Sequence, residues 1–217
     1  MITINDVVFS ISTRCETKSH CQLPIACVLS IKNIYPDSKI VIVDSNSPEK
    51  SHIPELINLG CEISDLENIN YETGAMWDTF EKVKKPRYVF LQDSMLLLGN
   101  IDPFLQKEFT SLGDIHYNWY GAGDRHIDWV RNNIKLSDYL FMETGFSILQ
   151  YNSMIISDSL LEKMKLKKLN KVLPVNKVGS CGMERLLGMV LSQEGFPISD
   201  SNQLPQTLIK KICMDRQ

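Results

Sequence analysis

The feature that most constrains this chain is an alternation in its first hundred residues. Short apolar runs are each closed by a cluster of polar side chains, and stretches with helical spacing lie between them. Val7-Val8-Phe9-Ser10-Ile11 stops at Ser12-Thr13-Arg14, Ile40-Val41-Ile42-Val43 at Asp44-Ser45-Asn46-Ser47, and Tyr88-Val89-Phe90-Leu91 at Gln92-Asp93-Ser94. Continuous apolar runs of this length read as strands buried on both faces. Cys61-Glu62-Ile63 is a further short strand. Residues 18–34 carry Leu23, Ala26, Cys27, Ser30, Ile31 and Ile34 at helical spacing, with Pro24 in the first turn, where its missing N–H costs little. Residues 54–59, closed by Gly60, and 73–84, stopped by Pro86, supply two more helices. Strands alternating with helices predict parallel crossovers and an open α/β sheet.

The second half is less regular. His116 to Asp128, rich in Gly, Asp and aromatics, reads as a loop, 147–150 as a strand, and 153–168 as a helix with a basic end. Residues 170–179 read as a polar loop with Pro174, and 183–194 as a helix closed by Gly195. No repeat, low-complexity tract or linker divides the chain, so one domain over 1–217 is expected.

Composition narrows the function classes. With 217 residues, 43% of them hydrophobic, the chain can bury a real core, which excludes a disordered tail and a small disulfide scaffold. Basic side chains number 23 against 26 acidic, a net charge of −3, and nucleic acid is therefore not expected as a partner. No unbroken apolar stretch reaches membrane-spanning length, so no transmembrane segment is expected. The start, Met1-Ile2-Thr3-Ile4-Asn5-Asp6, lacks the basic region of a signal peptide. The six cysteines, Cys15, Cys21, Cys27, Cys61, Cys181 and Cys213, form no CxxC pair and have no histidine cluster beside them in sequence. Zinc is not expected, and the thiols are expected to be reduced and buried in a cytoplasmic protein. His20 and His52, both in polar stretches, carry no assigned role.

Open parallel sheets bind ligands beyond the carboxyl ends of their strands. Those ends are the three polar stops, which together predict a polar crevice. No GxGxxG, GxxxxGK[ST], GxSxG or HExxH occurs, so dinucleotide, P-loop, hydrolase-elbow and zincin chemistries lack their signatures.

Four segments, in order over roughly residues 6–196, carry a resemblance. They are Val41-Ile42-Val43-Asp44-Ser45-Asn46-Ser47; Gly74-Ala75-Met76-Trp77 followed by Tyr88-Val89-Phe90-Leu91-Gln92-Asp93-Ser94-Met95; Thr144-Gly145-Phe146-Ser147-Ile148-Leu149; and Gly182-Met183-Glu184-Arg185-Leu186-Leu187-Gly188 followed by Gly195-Phe196 after Glu194. Together they resemble GT-A-type glycosyltransferases, in the style of capsule-type and large-DNA-virus enzymes. The resemblance implies an α/β, single GT-A-like Rossmann-type domain with a mostly parallel central sheet. It divides the chain into a nucleotide-binding half, about 1–100, and an acceptor-binding half, about 101–217. It also implies transfer of a sugar from a nucleotide-sugar, a UDP-sugar, to a hydroxyl of a glycan or glycoconjugate. For a viral chain the compartment would be the host cytoplasm.

The resemblance assigns roles residue by residue. Ser12, Thr13, Arg14, Asp44, Asp93 and Ser94 would bind the donor. Asp93 would hold Mn²⁺ or Mg²⁺ against the diphosphate. The family's Asp-x-Asp reads Asp93-Ser94-Met95 here, and methionine cannot bind a hard cation, so Arg14, Arg125 or His126 are alternative carriers of the phosphate charge. Glu184 is the candidate catalytic base for an inverting transfer, at the positive start of its helix, with Glu143 as rival. Trp119, Tyr120, Arg125, His126, Thr144 and Gly145 would line the sugar or acceptor pocket, since flat aromatic faces with polar rims suit a sugar. Ordinary structural roles stand beside these: an Asx-turn for Asp44, a strand stop for Asp93, a surface pair with Glu16 for Arg14, a helix-end acid for Glu184, an exposed loop acid for Glu143, and self-packing of the aromatic loop. Trp77 reads as the buried face of its helix. Two other functions fit less well. A degenerate GT-A domain that binds nucleotide-sugars without turnover is favoured by the missing acid. A sugar-nucleotide pyrophosphorylase would need a glycine-rich loop after the first strand, and 12–16 contains no glycine.

Overall fold

A computed structural model describes residues 1–113, 115–117 and 124–212. The apolar runs of the first half become β1 (Val7–Thr13), β2 (Lys39–Asp44), β3 (Glu62–Asp65) and β4 (Arg87–Gln92). They are parallel, in spatial order β3-β2-β1-β4, with α1 (Gln22–Ile34), α2 (His52–Asn58) and α3 (Tyr71–Lys82) as the intervening crossovers. After β4 come β5 (Met95–Leu97), α4 (Asp102–Leu105), β6 (Phe109–Ser111), β7 (Ile115–Tyr117), α5 (Arg125–Asn133), β8 (Ser147–Leu149), β9 (Met154–Ser157), α6 (Asp158–Leu166), α7 (Lys177–Gln193) and β10 (Ile209–Lys211). Strand β9 runs antiparallel between β4 and β6 and completes a six-stranded sheet. Two antiparallel pairs, β10 with β5 and β7 with β8, stand apart from it. The result is a mixed α/β domain with a mostly parallel central sheet flanked by helices, as expected.

Both faces of the sheet are buried, because successive side chains of each strand point to opposite sides. Val8, Val41, Val43, Tyr88 and Phe90 pack with α3, α5, α6 and α7 on one face. Val7, Phe9, Ile11, Ile40, Ile42, Val89 and Leu91 pack with α1 and α2 on the other. Trp77 is buried in the first layer, edge-on to Phe80. Cys15, Cys21, Cys27 and Cys61 are buried free thiols and Cys181 is half-buried, while Cys213 lies outside the described residues. Among the described residues no helix is long and apolar enough to cross a membrane.

The second half corrects three expectations. The 153–168 helix divides, because β-branched Ile155 and Ile156 make β9 a central strand. Ser157 then caps α6 by accepting the Leu160 N–H at 3.1 Å. The loop expected over 116–128 contains β7 and the start of α5, which Asp124 caps by accepting the His126 N–H. Helix α7 begins at Lys177 rather than near 183, with Asn176 accepting the Gly179 N–H at 2.9 Å. Its glycines hid this start. They serve close packing: a Cβ on Gly182 would fall 2.5 Å from the Trp129 ring, and one on Gly188 would meet the Ser147 carbonyl oxygen at under 3.0 Å.

The far end of α7 is held by charge. Glu194, its side chain 1% exposed, pairs with Lys163 and Lys167 at the end of α6 and accepts the Tyr139 hydroxyl at 2.7 Å. Burial pushes its carboxyl up, but Lys163, Lys167 and Tyr139 outweigh that and hold it at about 2. A carboxyl held this low adds stability above its ordinary range and loses it as pH falls towards 2. Both lysines are half in solvent, which screens the pairs. We therefore expect Glu194→Gln to lower stability by about 1–3 kcal/mol at neutral pH. The gap to wild type should close as pH drops from about 5 towards 2, measured by urea unfolding. A gap that stays constant over that range would show that the charge does not tie α6 to α7.

Candidate functional site

The carboxyl ends of β1 and β4 open onto a cleft of about 390 Å³. It is lined by Ser12 and Thr13 of β1, Arg14 just beyond that strand, and Asp93 and Ser94 of the β4–β5 turn. Glu72, near the start of α3, Lys177, Cys181 and Glu184 of α7, and Tyr151, Lys211 and Ile212 also line it.

Asp93 is 3% exposed and ties the β4–β5 turn to the end of β1. Its N–H donates to the Ser12 carbonyl at 3.1 Å, and its Oδ2 accepts the Arg14 N–H at 3.0 Å. The Ser94 hydroxyl is buried and has no hydrogen-bond partner among the described residues. Met95 is 2% exposed and belongs to the apolar layer beneath the sheet. That placement is the physical reason for the missing acid: a carboxylate at position 95 would lie in the core.

Asp44 lies across β1 from Asp93, outside the cleft lining and fully buried. It accepts the Thr13 hydroxyl at 2.9 Å, the Ser47 N–H at 2.7 Å and the Ser47 hydroxyl at 2.5 Å, with His52 Nε2 at 3.4 Å. Burial pushes the Asp44 carboxyl up, but these donors outweigh it and keep the group below its usual range. The Asx-turn role is thus realised, and it engages the Thr13 hydroxyl, while Thr13 still lines the cleft. Arg14 sits at the rim, its Nε on Glu16 at 2.6 Å and its Nη1 on the Ser45 carbonyl at 2.9 Å.

Glu184 faces the cleft from two turns inside α7, so the helix start does not govern its acidity. Its Oε1 accepts the Tyr151 N–H at 2.9 Å. Tyr151 and Asn152 both hold positive φ, 59° and 50°, a costly conformation for residues with side chains. Burial pushes the Glu184 carboxyl above its ordinary range and the charge of Glu72 adds to the rise, against the Tyr151 N–H, Lys177 and Arg185. Glu72 accepts Gln92 Nε2 at 2.7 Å and the Ser180 hydroxyl at 3.1 Å. Lys211 donates to Gln92 Oε1 and lies 4.1 Å over the Tyr151 ring.

The other expected residues are dispersed. Glu143, 72% exposed, faces Arg131 at 3.7 Å, away from the cleft, and Thr144 and Gly145 form an exposed turn beside it. Arg125 is exposed on the first turn of α5. His126 Nδ1 lies 3.2 Å from Asp124, which also faces Arg185 at 3.6 Å; burial, then the Arg185 charge, lower the His126 pKa. Trp119 and Tyr120 lie outside the described residues. Sequence reasoning missed Glu72, Tyr151, Lys177 and Lys211. For Glu72 the available signal was an acid in the first turn of a crossover helix; Lys211 had none.

Sheet and cleft together define a Rossmann-type α/β domain with a charged crevice at its strand ends. No protein-family model matches the chain, and no curated protein matches it. Among solved structures it is similar to residues 1–349 of S. aureus TarS, with a TM-score of 0.49 and 13% identity. The match covers 84% of this chain and 55% of that one, so the chain spans about half its length.

Proposed function

We propose that the chain is a glycosyltransferase that moves a hexosyl or pentosyl group from a UDP-sugar to a hydroxyl of a glycan or glycoconjugate, with inversion. The observation that carries this reading is that Glu184, with its raised pKa, shares one cleft with Asp93, Lys177 and Lys211 at the ends of parallel strands. The acceptor oxygen attacks C1 of the sugar as its proton passes to the Glu184 carboxylate. The C1–O bond to phosphate breaks and the diphosphate leaves with the electron pair. A single displacement of this kind inverts the anomeric centre. Lys177 and Lys211 stabilise the leaving charge, and the Ser94 hydroxyl donates to a phosphate oxygen. Tyr151 positions Glu184 through its N–H.

At the β4–β5 turn a divalent cation would meet one carboxylate, Asp93, next to Ser94, with Glu72 and Glu184 elsewhere in the cleft lining; among the described residues no group of three His, Cys, Asp or Glu ligands includes Asp93. That donor set suits Mn²⁺ or Mg²⁺ carried in on the diphosphate and does not form a cage for a resident ion. Bound there, the ion would neutralise charge on the leaving group.

The second reading, a nucleotide-sugar binding module, is favoured by the buried Met95. A panel of UDP-sugars with an acceptor, with and without Mn²⁺, separates the two. Release of UDP coupled to transfer supports the enzyme, and binding without release supports the module. Asp93→Asn keeps an oxygen for the Arg14 N–H. It is expected to cut transfer at least about 100-fold while the thermal midpoint stays close to wild type. Full activity of that variant would remove Asp93 from the mechanism.

A further inference from the structure

Cysteine and histidine residues that do not cluster along the sequence, and gave no expectation of zinc, come together in the fold. Cys15, on the loop after β1, Cys21, just before α1, and His52, at the start of α2, converge beneath that loop. Their potential ligand atoms, two Sγ and one imidazole nitrogen, all lie within 4.8 Å of one another. The Cys21 Sγ to His52 Nδ1 distance is 3.5 Å. All three side chains are buried: Cys15 and His52 are 0% exposed and Cys21 is 3%.

We propose that Cys15, Cys21 and His52 bind one thiophilic divalent metal ion, Zn²⁺ by preference, which clamps the β1–α1 loop to the start of α2. Three features of the site support this. The ligands match the ion: bonds of about 2.3 Å to sulfur and 2.0–2.1 Å to nitrogen place tetrahedral ligand atoms roughly 3.4–3.8 Å apart, as Cys21 and His52 already are. The histidine is oriented for it. Its Nε2 lies 3.4 Å from the Asp44 Oδ2, and that carboxylate favours the tautomer protonated at Nε2, which leaves the Nδ1 lone pair to the thiols. The Cys21 sulfur already accepts a donor, the Ser51 hydroxyl at 3.5 Å, whereas burial and then the neighbouring Cys21, Asp93 and Asp44 push the Cys15 thiol up, so the charge of the ion itself must draw off that proton.

The charge balances. Two thiols and one neutral imidazole take up M²⁺ and release two protons, leaving a neutral centre suited to burial. Water supplies a fourth ligand. The clamp adjoins the cleft, because Cys15 follows Arg14, whose N–H holds Asp93, and the Cys15 N–H donates to Ser47 Oγ at 2.8 Å. This inference stands whether or not the chain transfers sugars.

The test uses the full chain, reduced and stripped with a chelator, then titrated with Co²⁺ and Zn²⁺. Cobalt should bind at one equivalent with tetrahedral ligand-field bands in the visible and thiolate charge transfer in the near ultraviolet. Saturating Zn²⁺ should displace it and raise Tm by roughly 5–10 °C. His52→Gln and Cys21→Ser should each abolish the tetrahedral spectrum, while Cys61→Ser, a buried thiol elsewhere, should leave it intact. Absence of the cobalt spectrum in folded wild-type protein would overturn the proposal. So would a spectrum that survives both ligand substitutions, or a Cys15–Cys21 disulfide in protein that binds neither ion when reduced.

Discussion

Glu184→Gln is expected to lower turnover by about 10²–10⁴-fold while donor binding stays unchanged. Glutamine keeps the shape and the acceptor for the Tyr151 N–H but cannot take the hydroxyl proton. The pH profile carries the same information. Because burial and then Glu72 raise the Glu184 pKa, the acid limb of the wild-type rate should lie above the ordinary carboxylate range. Activity should climb with pH through that limb, and the limb should vanish in the variant. Stability moves the opposite way. A carboxyl whose folded pKa is raised stabilises the fold while protonated and loses that contribution as pH rises through the folded value. At neutral pH the ionised Glu184 is therefore a local cost, and Glu184→Gln should match or exceed the wild-type Tm. Undiminished turnover would sink the assignment. It would move the role to Glu72, which shares the cleft, rather than to Glu143, which lies in solvent facing Arg131.

The largest structural effect is expected at Gly188. A Cβ there would collide with the Ser147 carbonyl oxygen of β8, and Phe146 closes the same gap. Helix α7 cannot retreat, because Gly182 and Gly179 lie against Trp129 of α5. Gly188→Ala should cost about 3 kcal/mol or more, near the upper end for overpacking. For a chain of this size that is a fall in Tm of roughly 6–12 °C, readable by circular dichroism. Gly195 makes the contrast. Nothing lies within 4 Å of its added Cβ, and only its φ of +88° opposes substitution, so Gly195→Ala should cost about 1–2 kcal/mol. Equal midpoints for the two variants would show that α7 shifts on β8 freely.

The first half was legible because its strands are buried on both faces. Such strands must be continuously apolar, and their polar stops must follow where the chain leaves the sheet. Each of the four expected strands and three expected helices of the first hundred residues appears, with ends displaced by a few residues. The second half was less legible because packing overrode local pattern. Met154-Ile155-Ile156 continues without a break into an amphipathic helix, and only the Ser157 cap separates strand from helix. The glycines of α7 lower helix propensity, and what they gain, contact with Trp129 and β8, is invisible along the chain.

The site divides in the same way. Ser12, Arg14, Asp93 and Ser94 were readable because strand ends in a parallel sheet lie on one edge, and a polar stop after an apolar run marks that edge. Glu184 was readable only as one acid in a helix. Its burial, its raised pKa and its nearness to Glu72 come from α3 and α7 meeting at the cleft. Gln92 and Lys211 are bonded across 119 residues, and Cys21 and His52 across 31. The sequence by itself determined where strands begin and end, because burial on both faces dictates residue type at every position. Only the tertiary structure decided which charges face one another, because strand order, not spacing along the chain, sets the distance between side chains on different crossovers.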